Sequence, residues 1–123
     1  PDDRKEVDAE RRAYFASLDT ARALNNLAGF YRSSRKLAEA EALYQRSLRI
    51  LENSPEAQEV LARTLISYGE LRAQQRHLTQ AEALFQRALE IKGQGAAKPD
   101  LETAMVLKLL ADLRLVEGRV RRP

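Results

Sequence analysis

The sequence predicts an all-α fold built as an α-solenoid, a stack of antiparallel helix pairs. First, only five glycines and four prolines occur among 123 residues, and the abundant Ala, Leu, Glu, Gln and Arg lose little side-chain freedom in a helix. Second, apolar residues recur at the i, i+3, i+4, i+7 spacing of one helix face. Third, the chain repeats itself, and a period of roughly 20 to 50 residues is typical of helical repeat proteins.

The repeat is clearest in the second half of each unit. Residues 37–50, LAEAEALYQRSLRI, align without gaps with residues 78–91, LTQAEALFQRALEI, at an offset of 41, and nine of the fourteen positions are identical. An offset of 42 brings Leu107, Leu110 and Ala111 into a third copy, which we expect to contain only its first helix. The predicted array is therefore two complete helix pairs and one further helix.

The elements follow in order along the chain. Val7, Tyr14 and Leu18 recur at helical spacing and predict an N-terminal helix over residues 1–20, either separate or an extension of the next helix. The array then spans residues 21–118, as repeat one (about 21–53), repeat two (about 56–93) and partial repeat three (about 100–118), before a basic tail at 119–123. Ser54 is the expected N-cap of repeat two.

Each helix pair is expected to cross at small residues, because two antiparallel helices joined by a short turn must pack on each other. Ala28 with Ala40, and Gly69 with Ala81, would allow that approach. An aromatic residue, Tyr44 or Phe85, would fill the adjacent space. The buried stripe of the first helix in repeat one is expected to be Leu24, Leu27, Ala28 and Tyr31.

These residues resemble the tetratricopeptide repeat, which sets a large apolar residue, Leu, Gly or Ala, and Tyr on its first helix, and Ala, an aromatic and Ala on its second. The matching positions are Leu24, Leu27, Ala28, Tyr31, Ala40, Tyr44 and Ser47 in repeat one, and Leu65, Tyr68, Gly69, Arg72, Ala81, Phe85 and Ala88 in repeat two. The family period is about 34, so the longer period resembles the extended repeats of kinesin light chains. The resemblance implies a protein-interaction scaffold with an α-α superhelical fold.

Composition excludes several other classes of protein. The net charge of +3 arises from 21 basic and 18 acidic residues that are evenly interleaved, which predicts a solvated surface and not a nucleic-acid footprint. RNA binding by a helical repeat would also need a regular set of base-reading side chains, and matching positions differ between the units. No apolar run is long enough to span a bilayer, so we expect a cytoplasmic protein without membrane contact.

The sequence predicts neither an enzyme nor a cofactor or metal site. There is no cysteine, and His77 is the only histidine. The candidate carboxylates lie on open helix faces, where nothing would hold an acid, a base and a nucleophile together. We therefore expect a non-catalytic protein.

The resemblance implies that the first helices line a concave face that holds a partner peptide. Helical spacing assigns ten polar residues to that face: Arg22, Asn25, Asn26, Arg32, Arg63, Ser67, Glu70, Gln74, Lys108 and Asp112. Paired asparagine amides suit recognition of an extended backbone, because each offers a donor and an acceptor. The arginines would attract acidic residues, and tight binding would need an apolar anchor. The expected partner is an acidic peptide with such an anchor.

The helix of repeat three is apolar around nearly its whole circumference, and such a helix is normally buried on more than one side. The predicted oligomer or capping contacts are Met105, Leu109, Leu113, Leu115 and Val116. We expect either that the chain belongs to a longer array or that a second copy covers this helix. Self-assembly is therefore the alternative function.

Overall fold

The computed structural model describes residues 2–52, 54, 56–95 and 100–121, and all regular structure within these ranges is helical. The helices are α1 (Asp2–Ser33), α2 (Leu37–Glu52), α3 (Gln58–Gln74), α4 (Leu78–Gly95) and α5 (Leu101–Arg121). Helices α1 and α2 form one pair and α3 and α4 the next, α3 also packs on α2 and α1, and α5 packs on α4. The predicted all-α helical repeat is confirmed.

Helix α1 is a single helix of 32 residues, so residues 2–20 extend the first helix of repeat one and do not form a separate one. Its packed part begins at Tyr14, which is partly buried against the core, and continues through Leu18, Ala21, Leu24 and Ala28, which are buried. Residues 3–13 are exposed on every side. They are mostly charged residues and alanine, which favour a helix without needing a core.

The same tight turn joins the helices of each pair. Its residue with positive φ is Arg35 in the first pair and Arg76 in the second, with φ of 66° and 65°. The backbone N–H of Lys36 donates to the carbonyl of Tyr31 (2.8 Å), and that of His77 to the carbonyl of Arg72 (2.9 Å). These bonds satisfy carbonyls at the helix end, as glycine-terminated helices do, and the short connection holds each pair antiparallel.

Small residues lie where each pair crosses. Ala28, Ala40 and Ala81 are fully buried. A Cβ atom built on Gly69 would lie 2.5 Å from the ring of Phe85, so the ring occupies the space that a glycine leaves. The prediction that an aromatic fills the gap beside a small residue is confirmed for Gly69 and Phe85.

One residue of the predicted stripe is not buried. Leu27 is 44% exposed, whereas Tyr68 at the matching position of α3 is buried because it stacks on Tyr44 of α2, with ring centroids 5.7 Å apart. No described helix packs on the same side of α1. Helical periodicity identifies a stripe, but a neighbouring element decides whether all of it is covered.

The helix termini differ from expectation at Ser54. Helix α3 begins at Gln58 with Ala57 as its N-cap and no side-chain cap. The Ser54 hydroxyl instead donates to the carbonyl of Ile50 (3.3 Å), so it serves the end of α2. The prediction of a Ser54 cap is therefore wrong, since the carbonyl of Ser54 accepts from the backbone N–H of Ala57 (2.9 Å) before the next helix starts.

Helix α5 is longer than predicted. It continues to Arg121, so residues 119–121 of the expected basic tail are helical, and residues 122–123 lie outside the described residues. A glycine inside a helix costs only about 1 kcal/mol relative to alanine, and Gly118 has no proline soon after it to stop the helix. At the other end Asp100 is the cap: its Oδ1 accepts from the backbone N–H of Thr103 at 2.8 Å.

Candidate functional site

Helices α1 and α3, the first helices of repeats one and two, are joined by polar contacts. The Nδ2 of Asn25 donates to the Oγ1 of Thr64 at 2.5 Å, and the guanidinium of Arg32 lies 2.5 Å from the carboxylate of Glu70. Thr64 is fully buried, which explains why α1 presents an amide to it. These contacts close the space between α1 and α3.

Tyr44 of α2 lies behind the Arg32–Glu70 pair. Its side chain is buried, and burial raises the pKa of its phenol, although the positive charge of Arg32 and a hydrogen bond with Ser67 act in the opposite direction. Among the described residues, two buried atoms nearby have no hydrogen-bond partner, the Oδ1 of Asn25 and the Nε of Arg32. The contact between α1 and α3 is therefore polar, and not all of its buried polar atoms are hydrogen-bonded.

A cleft opens between α3 and α5, because α5 packs more closely on α4 than on α3. Its volume is about 290 Å³, which is near the lower end for ligand pockets. The floor is apolar and the edge carries charged and polar groups. The lining residues are Arg32, Glu70, Ala73, Gln74, Arg76, Leu78, Phe85, Leu109, Asp112, Leu113 and Val116.

A family model described as tetratricopeptide repeat matches residues 19–94. The chain belongs to the tetratricopeptide repeat family. The match runs from the middle of α1 to the last turn of α4 and so includes parts of both helix pairs. Such repeats generally mediate protein–protein interaction and generally act as non-catalytic scaffolds. Comparisons with curated proteins and with solved structures give no match.

The cleft of this tetratricopeptide array brings together part of the residue set that the sequence predicted. Arg32, Glu70, Gln74 and Asp112 lie at its edge. Three residues expected in an oligomer or capping contact also line it: Leu109, Leu113 and Val116. Leu113 is buried against the core, so it is not available to a second chain. The reason is that α5 places Val106, Leu110 and Leu113 on its α4-facing side.

The remaining predicted residues lie elsewhere on the tetratricopeptide array. Arg22 is exposed and pairs with Asp19 at 3.4 Å. Arg63 is exposed and lies 3.5 Å from Glu59 and 3.9 Å from Glu102. The other residues outside the cleft are Asn26, Lys108, Met105 and Leu115, which are exposed, and Asn25 and Ser67, which are half-buried.

Sequence reasoning missed three lining residues, Arg76, Leu78 and Phe85. Arg76 belongs to the turn between α3 and α4, Leu78 is the first residue of α4, and Phe85 is predicted only as a helix-packing residue. A signal for Arg76 existed in the repeat itself, which matches it to Arg35 of the first turn. A residue in that turn lies at the end of both helices, and therefore at the edge of the face that the first helices form.

A polar cluster fixes the start of α5 in the tetratricopeptide array. The Nζ of Lys92 lies 2.7 Å from the carboxylate of Glu102 and 3.0 Å from that of Asp100. The hydrogen bond with Glu102 raises the pKa of Lys92, and the bonds from Thr103 and Lys92 lower the pKa of Asp100 to about 2. These contacts tie α5 to α4 at one end and leave the cleft open further along.

In the described part of the chain, no group of three or more His, Cys, Asp or Glu side chains is placed to hold a metal ion. None of the described helices is long and apolar enough to cross a membrane.

Proposed function

We propose that the chain is a non-catalytic interaction scaffold and that the cleft between α3 and α5 receives an apolar side chain of a partner peptide. The apolar floor with a charged edge is the observation that carries this proposal. Tight protein contacts usually depend on one or two anchor side chains in a desolvated pocket, surrounded by polar contacts that add specificity.

The charges at the edge indicate how a peptide would be oriented. Arg32 and Glu70 neutralise each other. Arg76 and Asp112 make no ion pair with any described residue and lie at the edge of the same cleft. An acidic residue next to the anchor would therefore lie on the side of Arg76. This supports the acidic peptide with an apolar anchor that the sequence predicts, and it gives the acidic group a position.

The α1–α3 half of the face would add weaker contacts to the same peptide. Asn26, Arg22 and Arg63 are exposed there, whereas the amide nitrogen of Asn25 is already bonded to Thr64. Exposed ion pairs are worth about 0 to 1 kcal/mol, so these arginines would speed association more than hold the peptide. We also infer that the repeats are of the extended type, since α2 begins at Leu37 and α4 at Leu78, which is the offset of 41 seen in the sequence.

The proposal is tested with peptides selected from a random display library on the wild-type protein. Their affinity is then measured by fluorescence anisotropy for two variants of α5. Leu109→Lys places a charge in the cleft, and Leu101→Lys places the same charge at an exposed position of α5 that does not line it. We expect Leu109→Lys to weaken binding at least about tenfold and Leu101→Lys to leave it unchanged. Equal affinity of both variants would refute the cleft as the binding site.

A second pair of variants tests the acidic preference. Arg76→Glu reverses a charge at the edge of the cleft, and Arg46→Glu makes the same change at an exposed position of α2. Selected peptides should be acidic. Arg76→Glu should lower their affinity and reduce the salt dependence of their binding, because one attraction that salt screens is lost. Peptides of no net charge that bind both variants alike would remove Arg76 from the proposal.

Self-association is the second candidate function, and one observation favours it. Four large apolar residues of α5 are exposed in the described chain: Leu101 (87%), Met105 (46%), Leu107 (53%) and Leu115 (62%). Contiguous apolar surface on a soluble domain usually marks an interaction site.

A further inference from the structure

The side of α5 that faces away from α4 has the composition of a covered helix face. We call it the outer face of α5, and it consists of Ala104, Leu107, Ala111, Leu115 and Gly118. The matching residues of α3, 42 positions earlier, include Ala62, Leu65 and Gly69, which are all buried, and Gly69 lies against Phe85 of α4. All five residues of the outer face are exposed. The same pattern is therefore covered in repeat two and uncovered in repeat three.

The spacing of this face suits a straight contact with another helix. The small residues Ala104, Ala111 and Gly118 recur at intervals of seven residues, which keeps them on one side of a helix over its full length. Leu107 and Leu115 lie between them. Small residues that let two backbones approach, with larger ones beside them, are also how Gly69 and Phe85 pack inside this chain.

Two charged residues decide the direction of such a contact. At 100° per residue, Lys108 and Asp112 lie on the same edge of the outer face, one turn apart, and neither makes an ion pair with any described residue. In an antiparallel two-fold pair centred near residue 110, Lys108 of each helix faces Asp112 of the other. A parallel pair would instead bring this edge to the opposite edge of the second helix, where Leu107 and Arg114 lie. Lys108 would then have no acidic partner.

We propose that the outer face of α5 binds the outer face of α5 in a second copy of the chain, antiparallel and with two reciprocal Lys108–Asp112 ion pairs. The proposal rests on the self-association candidate given above and not on peptide binding. It is self-complementary, as a two-fold interface must be, because the same patch supplies both partners of each ion pair. The proposed interface would cover the second side of α5, whose first side is already buried through Val106, Leu110 and Leu113.

The test is sedimentation equilibrium of the full chain over a range of concentrations, with charge-reversal variants. Wild type should form dimers with increasing concentration. Lys108→Glu and Asp112→Lys should each weaken dimerisation about tenfold, because each turns both attractions into repulsions between like charges. The double variant should restore dimerisation to near the wild-type value. Arg46→Glu changes the charge as Lys108→Glu does, but away from this face, and should have no effect.

Other outcomes overturn the proposal in distinguishable ways. A chain that stays monomeric at every concentration would refute self-association itself. A dimer that Ala111→Arg abolishes, but that the double charge reversal does not restore, would keep self-association through this face and refute the antiparallel register. A dimer unaffected by Ala111→Arg would place the contact elsewhere. All substituted residues are exposed, and circular dichroism would verify that each variant is folded.

Discussion

At the scale of single residues, Gly69 lies directly against the ring of Phe85. A methyl group at Gly69 would lie 2.5 to 3.0 Å from three atoms of the ring, so either the ring or α3 would have to move. Gly69→Ala should therefore destabilise the protein by about 1–3 kcal/mol, although alanine is the better helix former by about 1 kcal/mol. Urea unfolding monitored by circular dichroism measures the difference.

Gly29 provides the matched control, because it lies in α1 and an added Cβ would meet no atom within 4 Å. Gly29→Ala should stabilise the protein by about 0.5–1 kcal/mol through helix propensity alone. Adding Phe85→Leu to Gly69→Ala should recover part of the lost stability, since the two sites are in contact and their effects do not add. Equal effects of the two alanine substitutions would contradict the close packing at Gly69.

The Asp100 cap makes stability depend on pH. Its pKa is about 2, below the ordinary 3.8, because the ionised carboxylate accepts a backbone hydrogen bond from Thr103 and binds Lys92. A lowered folded-state pKa stabilises the fold above the ordinary pKa, and that stabilisation is lost as the pH falls towards about 2. Asp100→Asn keeps a capping oxygen but does not titrate.

Urea unfolding at pH 5 and at pH 2.5 should therefore show a smaller loss of stability on acidification for Asp100→Asn than for wild type. Asp100→Ala should be less stable than wild type at pH 5, because it has no cap. The same loss on acidification in wild type and Asp100→Asn would show that the carboxylate does not have the lowered pKa.

At the scale of helices, α3 is packed on both sides and α1 on one. Tyr68 of α3 stacks on Tyr44, and its hydroxyl accepts from Arg72, which also binds Glu41 of α2 at 2.7 Å. Arg72 stands where repeat one has Tyr31, and it replaces an aromatic contact with an ion pair to the preceding helix. Through this network, Tyr68 and Arg72 join α3 of repeat two to α2 of repeat one.

The matched substitutions Tyr68→Ala and Leu27→Ala should therefore differ in cost. Tyr68→Ala removes a buried aromatic and should cost about 3–5 kcal/mol, whereas Leu27 is 44% exposed and Leu27→Ala should cost less than about 1 kcal/mol. Thermal unfolding of both variants measures this. A large loss at Leu27 would mean that another chain covers that side of α1 in solution.

At the scale of the whole molecule, stability should decrease from α3 towards the first turns of α1. Helix α3 contacts α1, α2 and α4, and residues 3–13 contact no core. A helical segment of that length without tertiary contacts is marginal in water. In hydrogen exchange, the amides of α3 should be the slowest and those of residues 3–13 the fastest. Strong protection of residues 3–13 would contradict this description and indicate association through them.

Much of the site follows from position within the repeat, but not all. Helical spacing placed Arg32, Glu70, Gln74 and Asp112 on one face, and the structure collects them at one cleft. It also placed Asn25 and Lys108 there, although Asn25 is bonded into the α1–α3 contact and Lys108 does not line the cleft. Spacing gives the side of a helix on which a residue lies, but not the distance to the next helix.

The sequence by itself determined the helices, the repeat unit and the small and aromatic residues at each crossing, because these depend on local propensity and on a period that the chain repeats. Only the tertiary structure decided which parts of each apolar stripe are covered. Leu27 and Tyr68 hold the same position in the repeat, yet only Tyr68 has a helix packed against it. The cleft has the same origin, since it exists because α5 packs more closely on α4 than on α3. Burial depends on such neighbours, which the local sequence does not specify.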